Sequence, residues 1–237
     1  MSRPEEHEGE GPESARAASG GLGPGPRPGY GRYVGLLGVL IVVLALLNAA
    51  LSKHNGASGL EPGRRLPPFA VPLATGNLPG QANVATTADQ GAAGRKPACS
   101  VRGPQILNIC QLYESGPVVL ALFVDSGSCP AILGDMQALV RPFPGVRFAA
   151  VALGGDRSSV RGAIRARGVS FPVGIDGDGA LLGLYRDATC PQVTFAYPGG
   201  VVQSRALLTR PSQAALRARV QTLLAGSEQR GWRPPAR

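Results

Sequence analysis

The stretch Pro117-Val-Val-Leu-Ala-Leu-Phe-Val-Asp-Ser-Gly-Ser-Cys-Pro-Ala-Ile-Leu-Gly-Asp-Met-Gln-Ala-Leu-Val140 decides the fold. Its first eight residues, through Val124, are one continuous apolar run, the pattern of a strand covered on both faces. After Cys129 and Pro130, apolar residues stand at 132, 133, 136, 139 and 140, which is the period of a helix. Pro130 suits the first turn of that helix, where its missing N–H costs nothing. A buried strand running into a helix is the building unit of an α/β layer.

The same alternation continues on the C-terminal side. Val146–Leu153 is a second buried strand. Asp156 caps a helix through Ser158–Arg167, with its arginines on the outer face. Phe171–Ile175 is a short strand, and a further helix follows around Ala180–Tyr185. Gln192–Tyr197, the turn Pro198-Gly-Gly200 and Val201–Ser204 form a β-hairpin. Ser212 caps a last helix over Gln213–Leu224. The expected architecture is α/β, a central mixed sheet with helices on both faces. On the N-terminal side, Leu66-Pro-Pro-Phe-Ala-Val-Pro-Leu73 reads as an edge strand, because proline cannot donate to a central ladder. Residues 75–97 show no periodicity, and no internal repeat is visible.

Further out lies a different kind of segment. From Tyr33 to Ser52, twenty residues carry no charge. At 1.5 Å per residue they make a helix of about 30 Å, the thickness of a bilayer's hydrocarbon core. The preceding tail is long and acidic, unlike the short positive start of a cleaved signal peptide, so an uncleaved single-pass anchor is expected. Arg16, Arg27 and Arg32 flank one end, and Lys53, Arg64 and Arg65 the other, so basic residues do not orient it. The organisation expected is a disordered tail over 1–32, a transmembrane helix over 33–52 and a linker over 53–65. A domain over 66–227 and a C-terminal tail over 228–237 complete it. Whether Trp232 packs on the domain or belongs to the tail is open.

With 34 glycines and 22 prolines among 237 residues, the chain approaches the composition of structureless segments, yet 43% hydrophobic content supports a core. The net charge of +9 does not imply nucleic-acid binding. The arginines are dispersed, as at Arg141, Arg147, Arg157, Arg161, Arg165 and Arg167, and no basic run is interleaved with stacking aromatics.

The four cysteines, Cys99, Cys110, Cys129 and Cys190, all follow the apolar run. The two histidines, His7 and His54, lie outside the folded block. The domain therefore has no Cys–His nucleophile pair and offers zinc no histidine, and no CxxC pair exists. No metal and no cofactor are expected. Cys129 stands at a strand-to-helix junction, where the helix's positive end favours a thiolate.

From Phe123 to Leu139 the chain resembles the active-site segment of membrane-anchored thioredoxin-like thiol-disulfide oxidoreductases, the TlpA-like and alkyl hydroperoxide reductase–thiol-specific antioxidant branch of bacteria. There a strand, a Trp-Cys-x-x-Cys motif and a helix ending acid-apolar-x-Ala-Leu follow in order. Leu184–Gly200, with Cys190-Pro191 at its centre, is similar to that family's cis-proline segment. The resemblance spans about residues 117–225, and weakly 66–73. It departs at two places: Ile132 stands where the resolving cysteine belongs, and Ser128 replaces the tryptophan.

The resemblance implies a thioredoxin-like fold in which the loop before Pro191 packs against Cys129, so that Cys190 becomes its partner. Cys129 would attack a substrate disulfide, Cys190 would resolve the mixed disulfide, and cis-Pro191 would present backbone to an extended substrate. Of the three possible connectivities, Cys99–Cys110 is expected as a structural bridge and Cys129–Cys190 as the redox pair. A ring of that size contributes about 2–3 kcal/mol. Even cysteine numbers on one side of the span suit an oxidising compartment. The expectation is a cell-membrane protein with a cytoplasmic N-terminus and an extracytoplasmic domain, acting on protein thiols or disulfides. Two alternatives stand beside it. One is a non-catalytic thioredoxin-like binding module. The other is an atypical peroxiredoxin-like peroxidase, since Ser126 lies three residues before Cys129 as a threonine does in peroxiredoxins, though Leu122 breaks that motif.

Overall fold

A computed structural model describes residues 30–52, 59–79, 81–90, 94–186 and 190–234. The expected disordered tail before residue 30, the start of the linker at 53–58 and the last three residues lie outside these. The chain divides into two units, Met1–Gly56 and Ala57–Arg237.

In the first unit, helix α1 spans Tyr30–Ser52, and its apolar side chains from Tyr33 to Leu46 are exposed. Among the described residues no helix is long and apolar enough to cross a membrane. The expected span over 33–52 is not reproduced as such.

The second unit is built on strand β3, Val118–Phe123, every residue of which is buried. It occupies an interior position of a four-stranded sheet. β4 (Arg147–Leu153) pairs with it in parallel and β6 (Gln192–Ala196) antiparallel; β5 (Val173–Asp176) is parallel to β4, giving the order β5-β4-β3-β6. Alternation along β3 divides the core. Val119, Ala121 and Phe123 share a cluster with Ile132, Leu133, Met136 and Leu139 of α3 (Ile132–Val140), with Val160 and Ile164 of α4 (Arg157–Ala166), and with Leu216, Val220 and Leu223 of α6 (Gln213–Gln229). Val118, Leu120 and Leu122 face a second cluster. It includes Val71 of β1 (Ala70–Pro72), Leu107 of β2 (Ile106–Asn108), Ile109 of α2 (Ile109–Ser115) and Leu181 of α5 (Ala180–Leu184). Such two-sided coverage is why β3 and β4 read as unbroken apolar runs.

The local signals act as their chemistry demands. The Asp156 carboxylate accepts from the N–H groups of Ser158 and Ser159, and the Ser212 hydroxyl accepts from Ala215. At the hairpin turn, Gly199 and Gly200 hold φ of +81° and +84°, a region costly for side-chain-bearing residues. The return strand is reduced to bridges, Ala196 with Val202 and Val193 with Leu207.

Four differences from the sequence reading, and the placement of Trp232 that it left open, have physical causes. β1 pairs with β2, a strand of three residues, too short to show a period. The described residues of 75–97 are not free. Ala70 and Asn83 exchange backbone hydrogen bonds, and arginines of α4 grip the preceding turn. Arg157 donates to the carbonyls of Leu73, Gly76 and Leu78, each at 2.8 Å, and Arg161 to that of Ala74 at 2.7 Å. These two were expected on an outer solvent face; they are ties instead. In the expected linker, Gly63 N–H donates to Val202 and Val202 N–H to Arg64, so 59–65 lies along the hairpin. Trp232 turns back, its ring 2.9 Å from where a Cβ on Gly145 would stand.

Asp176, at the end of β5, is fully buried. Its carboxylate accepts from Leu181 at 2.8 Å and Ala180 at 3.2 Å. Burial first, and then the neighbouring Asp178, push its pKa from 3.8 up to about 6. A raised carboxyl pKa means the folded state holds the proton more tightly than the unfolded chain does. Stability from this group is therefore complete below about pH 4 and is lost as pH rises through about 6. Asp176→Asn is expected to gain melting temperature relative to the unaltered chain progressively between pH 4 and 7. Thermal unfolding across that range checks it; parallel curves would assign the pH dependence elsewhere.

Candidate active site

The register of β3 with β6 assembles the site. Leu122 lies opposite Gln192, so continuing the pairing by two residues sets Val124 against Cys190. There the ladder ends differently: the Val124 N–H donates to Cys190 Sγ at 3.3 Å. Five residues beyond Val124, a 3₁₀ turn over Cys129–Ala131 leads into α3. Gly127, at φ +55°, lets the chain reverse before it, and the Cys129 N–H donates to the Ser126 carbonyl at 3.2 Å. Cys129 and Cys190 are joined, their Cα atoms 5.7 Å apart across 61 residues of sequence. The Cys190–Pro191 peptide is cis, and Pro191 is buried.

The two sulfur-bearing residues differ in environment. Cys129 is 6% exposed and belongs to the core cluster with Phe123, Ile132 and Leu133, whereas Cys190 is exposed. Ile132, at the place a resolving cysteine would take, is fully buried. Beneath the loop, Gln192 is buried and donates to the Tyr185 carbonyl at 3.1 Å. Tyr185, also buried, donates its hydroxyl to the Pro67 carbonyl at 2.9 Å. Burial pushes its phenol well above the ordinary value, so it stays neutral.

Cys99 and Cys110 form a second bridge, Cα to Cα 5.3 Å. Around it Asn108 does three jobs: its Oδ1 caps α2 by accepting from Cys110 and Gln111, and its amide donates to the carbonyls of Ala98 and Val101. The structure thus places the four cysteines in two pairs at separate positions. Among the described residues no group of His, Cys, Asp and Glu is arranged to hold a metal.

Two contributors were not found from sequence. The Val124 N–H carries no side-chain signal and becomes visible only through the strand register. Asp135 did carry one, an acid on the buried face of a helix, which needs a partner. Arg210 supplies it with two hydrogen bonds, Nε to Oδ2 at 2.6 Å and Nη2 to Oδ1 at 3.0 Å. The pair ties α3, and with it Cys129, to the segment before α6.

No known family's sequence profile matches the chain, and no curated protein matches it either. Solved structures do. The protein from Chlorobium tepidum provisionally described as thiol:disulfide interchange protein DsbE superposes with a TM-score of 0.53 at 18% identity, over 70% of this chain and 99% of that one. A protein provisionally described as a protein disulfide isomerase from Bacteroides thetaiotaomicron gives 0.52 at 14%, over 74% and 98%. An uncharacterised conserved protein from Geobacillus kaustophilus gives 0.51 at 16%, over 74% and 86%. At these identities the likeness concerns the path of the chain, and by sheet order, paired cysteines and cis-proline loop that path is the thioredoxin-like fold.

Proposed function

We propose that this protein is a thiol-disulfide oxidoreductase whose working pair is Cys129 and Cys190, exchanging with protein thiols or disulfides. The observation that carries the reading is one bond linking a cysteine at the head of α3 to an exposed cysteine on the loop before β6. A bridge open on one side can be entered by an incoming thiolate; one sealed on both sides cannot. Structures of like fold include proteins described as disulfide interchange and disulfide isomerase proteins, which supports the same chemistry. Cys99–Cys110, with Cys110 fully buried and Cys99 half-buried beside the Tyr113 hydroxyl, is less accessible than Cys129–Cys190 and serves as the structural bridge. The charge-free run 33–52 serves as a tether, and four cysteines on one side of it favour a cytoplasmic N-terminus and an extracytoplasmic domain.

The reduction potential of each bridge tests this. Equilibration in graded thiol buffers, with each pair mapped by mass spectrometry, is expected to place Cys129–Cys190 at or above about −270 mV, within the range of known exchangers. Cys99–Cys110 is expected lower. If Cys129–Cys190 instead resists reduction below about −300 mV, the bridge is structural and the domain is a binding module.

A further inference from the structure

We infer that Cys190, not the helix-head Cys129, is the sulfur through which substrates enter and leave, so that the mixed disulfide forms on the loop before β6. This rests on the exchange reading above and reverses the order that the family resemblance implies.

Three observations carry it. Exchange requires a thiolate to reach the sulfur it attacks, so access decides which sulfur reacts. Cys129 is 6% exposed and packed among Phe123, Ile132 and Leu133, while Cys190 is exposed. The Val124 N–H already points at Cys190 Sγ, 3.3 Å away. A hydrogen bond donated to a sulfur favours its thiolate, the form that attacks. Finally, Cys129 stands at the N-terminal end of the helical segment Cys129–Val140, whose positive end favours negative charge there. That makes Cys129 the better leaving group, and leaving-group stability accelerates exchange at the other sulfur.

In the oxidising direction, a substrate thiolate attacks Cys190 Sγ. A substrate–Cys190 disulfide forms, the Cys129–Cys190 bond breaks, and Cys129 departs as a thiolate. A second substrate thiolate then attacks the substrate sulfur and releases Cys190. The substrate is oxidised by two electrons and the bridge reduced by two. In the reverse direction, the Cys190 thiolate attacks the substrate disulfide and expels one substrate thiolate. Cys129 then attacks Cys190 Sγ, which re-forms the bridge and releases the other.

Full-length Cys129→Ser and Cys190→Ser, each reduced and then mixed with glutathione disulfide, separate the two sulfurs. The rate of mixed-disulfide formation is read by intact mass. Cys190 in Cys129→Ser is expected to react at least about tenfold faster than Cys129 in Cys190→Ser. Because a substitution can disturb the fold, the reduced unaltered chain is also treated with limiting iodoacetamide and mapped by peptide mass. Cys190 is expected to be labelled ahead of Cys129. Equal or faster reaction at Cys129 overturns the order and leaves the exchange reading standing. If neither sulfur exchanges faster than glutathione with its own disulfide, the exchange reading falls and the order with it.

Discussion

Replacing either Cys190 or Cys129 with serine is expected to slow the dithiothreitol-driven reduction of a peptide disulfide by about three orders of magnitude or more. The size follows from how the two sulfurs divide the work. In the proposed cycle one forms the mixed disulfide and the other releases it. Ile132 stands where a helix-borne substitute would be, fully buried and without a thiol, so nothing on α3 replaces a lost partner. The two substitutions act on one cycle, so the double variant should be no slower than the slower single one. Removing the Cys99–Cys110 bridge is expected to leave turnover intact at temperatures where the domain stays folded. Full turnover in Cys190→Ser would remove Cys190 from the reaction.

The second large effect is expected on stability, at Gly174. This residue sits in β5, where Leu73 bridges to it and β1 packs over it. A Cβ built there would lie 2.3 Å from Val71 Cγ2 and 3.1 Å from Leu107 Cδ2. Both neighbours are buried, at 0% and 2% exposure, and valine is stiff about its first side-chain torsion. Neither can withdraw into solvent. Gly174→Val should cost about 3 kcal/mol, at the upper end of what overpacking a filled core does. For a domain of this size that is a fall of roughly 6–12 °C in melting temperature. Val71→Ala opens the space the new side chain needs, so the double variant should be more stable than the sum of the single losses predicts. A Gly174→Val chain melting with the unaltered one would show that β1 does not press on β5.

Much of the frame was legible because its signals are local. The apolar runs of β3 and β4, the period of α3, and the caps at Asp156 and Ser212 each lie within a few residues of the structure they specify. The segment 75–97 was illegible for the opposite reason. Its first turn is held by guanidinium groups on α4 that bind carbonyls over 73–78, some eighty residues away, and its later part by backbone bonds such as Ala70 with Asn83; carbonyls leave no mark in a sequence. β2 and α2, within 106–115, were likewise missed, being short and dependent on Asn108 and the Cys99–Cys110 ring.

The sequence by itself determined the strands and helices from Pro117 onward, their order, and the four cysteines of the domain, since periodicity and spacing are properties of consecutive residues. Only the tertiary structure decided that Arg157 and Arg161 are ties, that Trp232 returns to the domain, and that Val124 meets Cys190 while Cys129 is covered. Exposure and contact are set by which distant segments close over an atom. Two cysteines alike in the chain therefore differ in reach once strands and helices pack.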